Sequence, residues 1–158
     1  MALRIGTLSD STLIAQQLAE IRMIACCSPH YRRADGLPGT PEELARHACL
    51  LYGQEGLTGW TLTVDGEKRA FEVSGPLRAD NGEVIRDAAI AGLGIALLPE
   101  FIVSAAIASG ALVEVLSEFA APSLALYAIY PQHRERSITV RSFTQFLRQR
   151  FARGLGQQ

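Results

Sequence analysis

No stretch of this sequence is long and apolar enough to span a bilayer. A span needs about 20 continuous apolar residues, and the richest segment, 88–116, is broken by Gly92, Gly94, Pro99, Glu100, Gly110 and Glu114. The first ten residues, Met1 to Asp10, hold no unbroken apolar core, so no secretory leader is expected. Cysteine is scarce: Cys26 and Cys27 are adjacent and Cys49 stands alone. An odd number without framework spacing argues against disulfides and for a reducing compartment, the cytoplasm. Charge is nearly balanced, 15 basic against 16 acidic residues, which excludes an overall pull toward nucleic acid or anionic lipid. Internal repeats, low-complexity tracts and long Pro/Gly/Ser linkers are also lacking.

Catalytic signatures are equally scarce. There is no G-x-S-x-G elbow, P-loop, H-E-x-x-H or C-x-x-C. Gly92-Leu-Gly94 is a fragment of a dinucleotide fingerprint, but it follows a helical pattern where the fingerprint needs a strand, so a helix end explains it. His47-Ala-Cys49 offers two metal ligands with no second pair to complete a tetrahedral site. The acidic pairs Glu42/Glu43 and Glu83/Asp87 fall in first helical turns, where negative charge is favoured without any catalytic role. The terminal arginines Arg134, Arg136, Arg141, Arg148, Arg150 and Arg153 have the chemistry to contact phosphates, but the apolar stripe through Phe143 and Phe146 favours a solvated helix face. No catalysis, cofactor or metal is expected.

What is present is an ordinary globular composition, 48% hydrophobic and 20% charged over 158 residues, enough for one domain or two small lobes to bury a core without staples. Thr40-Pro-Glu-Glu43 predicts a capped helix through about His47, and Ser28-Pro29 a shorter turn of helix stopping near Asp35-Gly36. Trp60, Leu62 and Val64 alternate before Asp65-Gly66, and Phe71 and Val73 alternate after it, which predicts a hairpin whose second arm runs to Leu77. Asp80-Asn-Gly-Glu83 predicts a second capping box, with Asp80 as the cap, Val84, Ile85, Ala88 and Ala89 on one face, and Gly92 past the end. Ile95–Leu98 reads as a buried strand, Pro99 to Gly110 as a helix and Leu112–Leu116 as another strand, a βαβ alternation typical of α/β packing. Leu124–Tyr130 is a further strand, and a helix from Ser137 carries Val140, Phe143, Phe146, Leu147 and Phe151 as its apolar stripe. Residues 14–27 fit helix and strand alike. If they form a strand, Cys26 and Cys27 face opposite sides and one of them is buried. A helix starting at Asp80-Asn81 presents amides at the carboxyl end of a strand, where open α/β sheets place ligands, although a capped helix without ligand fits the same residues.

In order and spacing the motifs resemble the effector-binding domain of LysR-type transcriptional regulators. The matching pieces are Arg4-Ile-Gly6 with Asp10-Ser-Thr-Leu-Ile14, Ser28-Pro29 with Tyr31, Thr40-Pro-Glu-Glu-Leu44 with Cys49-Leu50, and Trp60 before Val-Asp-Gly66. They continue with Asp80-Asn-Gly-Glu-Val-Ile85 leading into Ala91-Gly-Leu-Gly-Ile-Ala-Leu-Leu-Pro99, then Gly110-Ala-Leu-Val113 and Tyr130-Pro131 through Phe146-Leu147. The resemblance runs from Leu3 to Phe151. It implies an α/β, periplasmic-binding-protein-like (type 2) two-lobe fold, with the second lobe complete, the first partial, and a small effector held in the cleft. Residues 1–20 would belong to the first lobe, 21–129 to the second, and 130–158 would be the crossover strand and returning helix. Ile14–Leu18 and Arg22–Cys27 would then be extended. The implied effector contacts are Gly6 and Thr7 in a first-lobe loop, Ala79, Asp80 and Asn81 at the second-lobe helix start, and Tyr130 at the crossover.

Two departures from the family pattern bear on function. The amino-terminal winged helix-turn-helix has no counterpart here, so DNA would be reached only through a domain this chain lacks, and the chain would begin within the first lobe. Asp80 stands where the family often has a neutral polar residue, which disfavours a carboxylate effector unless its charge is spent on the cap. The implied partners are a small-molecule effector and a second copy of the chain, with a higher oligomer in the full-length protein and no membrane. A solute-binding protein of a transport system shares this fold and is the alternative. A hydrolase or dehydratase on the same fold would have Asp80 as its only nearby acid/base group.

Overall fold

The computed structural model describes residues 1–6, 12–31, 36–53, 59–134 and 137–151. Thr7, Asp10, Asp35, Arg136 and Arg153, singled out above, lie outside the described residues. The chain divides into two compact units, Met1–Ile21 with Ser123–Gln158, and Arg22–Pro122.

The first unit is a three-stranded antiparallel sheet carrying one helix. Its strands are β1 (Ala2–Ile5), β2 (Leu13–Ile21) and β10 (Leu124–Pro131), in the order β1-β10-β2. The ambiguous segment is therefore extended, as the family resemblance implies. β10 starts at Leu124, opposite Ile21, so residues 124–129 pair within this unit although the sequence groups them with the second lobe. Helix α3 (Ile138–Phe151) packs on β2, placing Leu147 with Leu18, Ile21, Leu126 and Ala128. Of the stripe expected from the sequence the helix buries Leu147 and half-buries Val140 and Phe151, with Thr144 as its other buried residue, whereas Phe143 and Phe146 are exposed and stack on each other, 6.4 Å apart and 16° from parallel. Thr144 can occupy the buried face because its hydroxyl donates back to Val140 O and Arg141 O at 2.9 and 3.0 Å.

The second unit is a mixed five-stranded sheet buried on both faces. Its strands are β3 (Met23–Cys27), β4 (Cys49–Tyr52), β7 (Arg78–Ala79), β8 (Ile95–Pro99) and β9 (Val113–Glu114), ordered β7-β4-β8-β3-β9. Successive side chains of a strand point to opposite faces, and the core divides accordingly. Ile24, Cys26, Leu50, Ala96 and Leu98 pack beneath helices α1 (Gly82–Ile90) and α2 (Glu100–Ala108). Ala25, Cys27, Cys49, Leu51 and Ile95 meet Tyr31, Leu44, Trp60, Leu62 and Val115 on the other side. Both adjacent cysteines are consequently buried, not one.

The hairpin β5 (Gly59–Val64) and β6 (Glu67–Glu72) closes through Asp65 and Gly66 at φ 52° and 81°, the positive pair that a type I′ turn requires. Its second arm stops at Glu72, short of the expected Leu77. From there the chain runs along β4 instead, with Ser74 O and Leu77 O accepting the Cys49 and Leu51 amides. Pro41–Arg46 is a 3₁₀ segment in place of the expected α-helix. Thr40 makes no side-chain cap there; Glu43 Oε2 accepts the Gly39 amide at 2.7 Å. Around Ser28-Pro29 there is a single turn, with Ser28 O accepting the Tyr31 amide and Ser28 Oγ the His30 amide.

Candidate functional site

In the second unit, parallel pairing of β4 with β7 (Leu51 with Arg78, Tyr52 with Ala79) delivers the chain to the start of α1. The cap is Asn81 and not Asp80. Asn81 holds extended backbone angles, and its Oδ1 accepts the Glu83 and Val84 amides at 2.9 and 3.4 Å. The expected reciprocal box is therefore replaced by a one-way cap, since the third residue after Asn81 is Val84, and Asp80 keeps an exposed carboxylate. Two leading amides of α1 are already engaged, so the helix start offers a ligand fewer donors than an uncapped end. The next residue, Gly82, is buried: a Cβ there would lie 2.4 Å from Ile102 Cδ1 and 3.5 Å from the Tyr52 ring. Glycine lets the helix start close on α2 and β4. At the far end Gly92, at φ 81°, completes a Schellman motif, its amide donating to Ala89 O and that of Leu93 to Ala88 O. Gly94 lies against the Ala48 carbonyl, 2.4 Å from where a Cβ would sit, so both glycines serve backbone geometry.

In the first unit, Gly6 follows β1 at φ 115° and donates its amide to Ala125 O, near the start of β10. Tyr130 stands near the other end of that strand, paired with Ile14. Five residues at about 3.4 Å each separate Ala125 from Tyr130, so the unit does not bring Gly6 and Tyr130 together. Tyr130 is buried with its hydroxyl 3.4 Å from Gln16 Oε1, on the α3 side of the sheet. There it borders a hollow of about 490 Å³ lined by Gln16, Tyr130, Arg141, Thr144, Gln145 and Arg148. Apart from Tyr130, none of these side chains is expected at a site from the sequence, which offers Arg141 and Arg148 as phosphate contacts but favours a solvated helix face for them. The available signal was Arg141 and Arg148 recurring seven residues apart on a helix, with Gln16 at an alternating strand position.

The remaining nucleophiles and ligands are structural. Burial pushes the Cys26 thiol up to about 12, aided by Cys27 and Glu114, the Cys49 thiol to about 12 and the Cys27 thiol to about 11. Thiols held protonated in this way are poor nucleophiles. His47 is buried, its Nδ1 3.3 Å from the Tyr31 hydroxyl, which also accepts the Ala48 amide. Among the described residues no three His, Cys, Asp or Glu side chains converge to hold a metal, and no helix is long and apolar enough to cross a membrane.

The family model for the LysR substrate binding domain matches residues 1–152. Among curated proteins, the HTH-type transcriptional regulator YhjC of Escherichia coli is 36% identical over 149 residues, covering 92% of this chain and 50% of that protein. Among solved structures, the regulatory domain of CrgA from Neisseria meningitidis is 33% identical with a TM-score of 0.78, covering 94% of this chain and 73% of that one. Full-length AphB, a virulence activator of Vibrio cholerae, is 32% identical with a TM-score of 0.77, covering 92% and 50%. The chain spans about half the length of the curated relatives it matches.

Proposed function

Because the chain belongs to the LysR substrate-binding domain family, with the periplasmic-binding-protein-like type 2 fold, we propose that it senses its effector through the helix start at Ala79, Asp80 and Asn81 of the second unit. It is a regulatory domain, and the relatives favour that reading over transport. The match over residues 1–152 carries the regulatory reading. The fixed Asn81 cap and the exposed Asp80 carboxylate beside it support a helix start that selects for ligand charge.

On this reading the domain binds without catalysis, in the cytoplasm, as a homodimer. DNA is reached through a separate helix-turn-helix domain. A ligand that favours one arrangement of the regulatory domain shifts its population and so reorients the DNA-binding modules. A metabolite panel followed both by thermal shift and by product formation tests the proposal. Stabilisation without turnover is expected, and turnover of a stabilising compound would overturn it. Calorimetric titration of wild type and Asp80→Asn with one acid and its neutral amide then tests the site. Asp80→Asn is expected to improve relative affinity for the acid, and an unchanged ratio would place the effector elsewhere.

A further inference from the structure

We propose that the first unit carries an oxyanion-binding site of its own, in the hollow between β2 and α3, taking a carboxylate or phosphate group on a small polar molecule. This does not depend on the effector site proposed above. Arg141 and Arg148 project from α3, Gln16 from β2 and Tyr130 from β10, and the hollow of about 490 Å³ is of small-ligand size.

Arg148 is anchored without being neutralised. Its Nε and Nη2 donate to the main-chain oxygen of Gln17 at 3.2 and 3.1 Å, a carbonyl and not a carboxylate, so the full positive charge remains at the hollow. The two amide orientations of Gln16 are not equivalent, since only one satisfies both of its ends. In one, the Tyr130 hydroxyl donates to Oε1 at 3.4 Å. In the other, Oε1 accepts from Arg148 Nη1 and Nη2 at 3.2 and 3.3 Å, and both ends of the amide are satisfied. The second orientation turns the amide nitrogen toward Tyr130, whose hydroxyl then accepts and whose proton is free for a ligand. Thr144 contributes shape only, its hydroxyl being spent on Val140 O and Arg141 O.

Charge points the same way. Residues 1–21 and 123–158 contain seven arginines against three acids, whereas residues 22–122 contain eight basic side chains against thirteen acidic ones. The salt bridges among the described residues all lie in the second unit, and Arg141 has no acidic partner among them. A hollow open to solvent with two guanidinium groups that no carboxylate neutralises, one hydroxyl donor and amide groups suits an anion that accepts several charge-assisted hydrogen bonds.

The test is a titration of the full 158-residue chain, followed by nitrogen-15 NMR at constant ionic strength, with succinate in one arm, inorganic phosphate in a second and chloride in a third. Saturable shifts of the Gln16, Arg141, Gln145 and Arg148 amides are expected in the succinate or phosphate arm, and the arm that saturates at lower concentration identifies the anion class. Arg141→Gln, on an exposed helical position, is expected to weaken binding by about tenfold or more, and Tyr130→Phe by about three- to tenfold, while Arg150→Gln leaves it unchanged. Shifts that never saturate, or equal weakening by Arg141→Gln and Arg150→Gln, would overturn the proposal. Well-dispersed spectra of each variant establish that the fold is intact.

Discussion

Asn81 caps Glu83: the side-chain oxygen of one accepts the amide of the other at 2.9 Å, while neighbouring Asp80 caps nothing. Stability and charge at this helix start therefore belong to different residues. Asn81→Ala is expected to cost about 0.5–2 kcal/mol in a urea melt, whereas Asp80→Ala and Asp80→Asn leave stability nearly unchanged. Equal losses at the two positions would return the capping role to Asp80.

The three thiols link stability to alkaline pH. Unfolded, each loses its proton near the ordinary thiol value of 9.0; folded, Cys26 and Cys49 hold theirs to about 12 and Cys27 to about 11. Above pH 9 the native state binds protons that the unfolded state has released, so this contribution is complete below pH 9 and is lost as pH rises toward the folded values. Stability should fall on going from pH 8 to pH 10, less steeply in a Cys26→Ala variant compared with its own value at pH 8. In the native chain at pH 8, a thiol reagent should label none of the three until denaturant is added. Rapid native labelling would contradict the burial.

Gly92 and Gly94 should fail for different reasons when replaced by alanine. Gly92→Ala strains a left-handed backbone with space around it, at about 1–2 kcal/mol. Gly94→Ala drives a methyl into the Ala48 carbonyl and Leu50 side chain of the buried sheet, costing about 1–3 kcal/mol or more. Thermal melts separate the two, and a harmless Gly94→Ala would refute the close approach.

β1 forms an edge of the first unit's sheet, and Leu3 and Ile5 on it are exposed, as are Ile138, Phe143 and Phe146 on α3. Open strand edges and apolar patches favour association. Sedimentation at high micromolar concentration is expected to show a dimer or larger species, reduced by combining Leu3→Lys with Phe146→Lys. A sharp monomer peak for the wild type would count against it.

Local chemistry was legible wherever it was self-contained. The Asp65-Gly66 turn, the Gly92 helix end and the run Ile95–Leu98 follow from residues that determine their own backbone or burial. The cap at Asn81 was displaced because Asp and Asn are both competent caps and only tertiary position chooses between them. The stripe on α3 misled because a narrow sheet receives one line of side chains, and a threonine that satisfies its own hydroxyl can take a place there from a phenylalanine. The hollow at Gln16, Arg141 and Arg148 joins residues more than a hundred positions apart, a pairing that β10 creates and no local pattern announces.

Ile21 and Leu124 are register partners, so the chain leaves the first unit and returns to it through neighbouring rungs of one ladder. Everything from Arg22 to Pro122 is, in topological terms, a cassette spliced into a hairpin. A short turn joining Ile21 to Leu124 would close that hairpin with the cassette removed, and the excised segment would carry its own two-sided core. The architecture thus allows one unit to be exchanged between relatives while the other is kept, a modularity written into two adjacent crossing points.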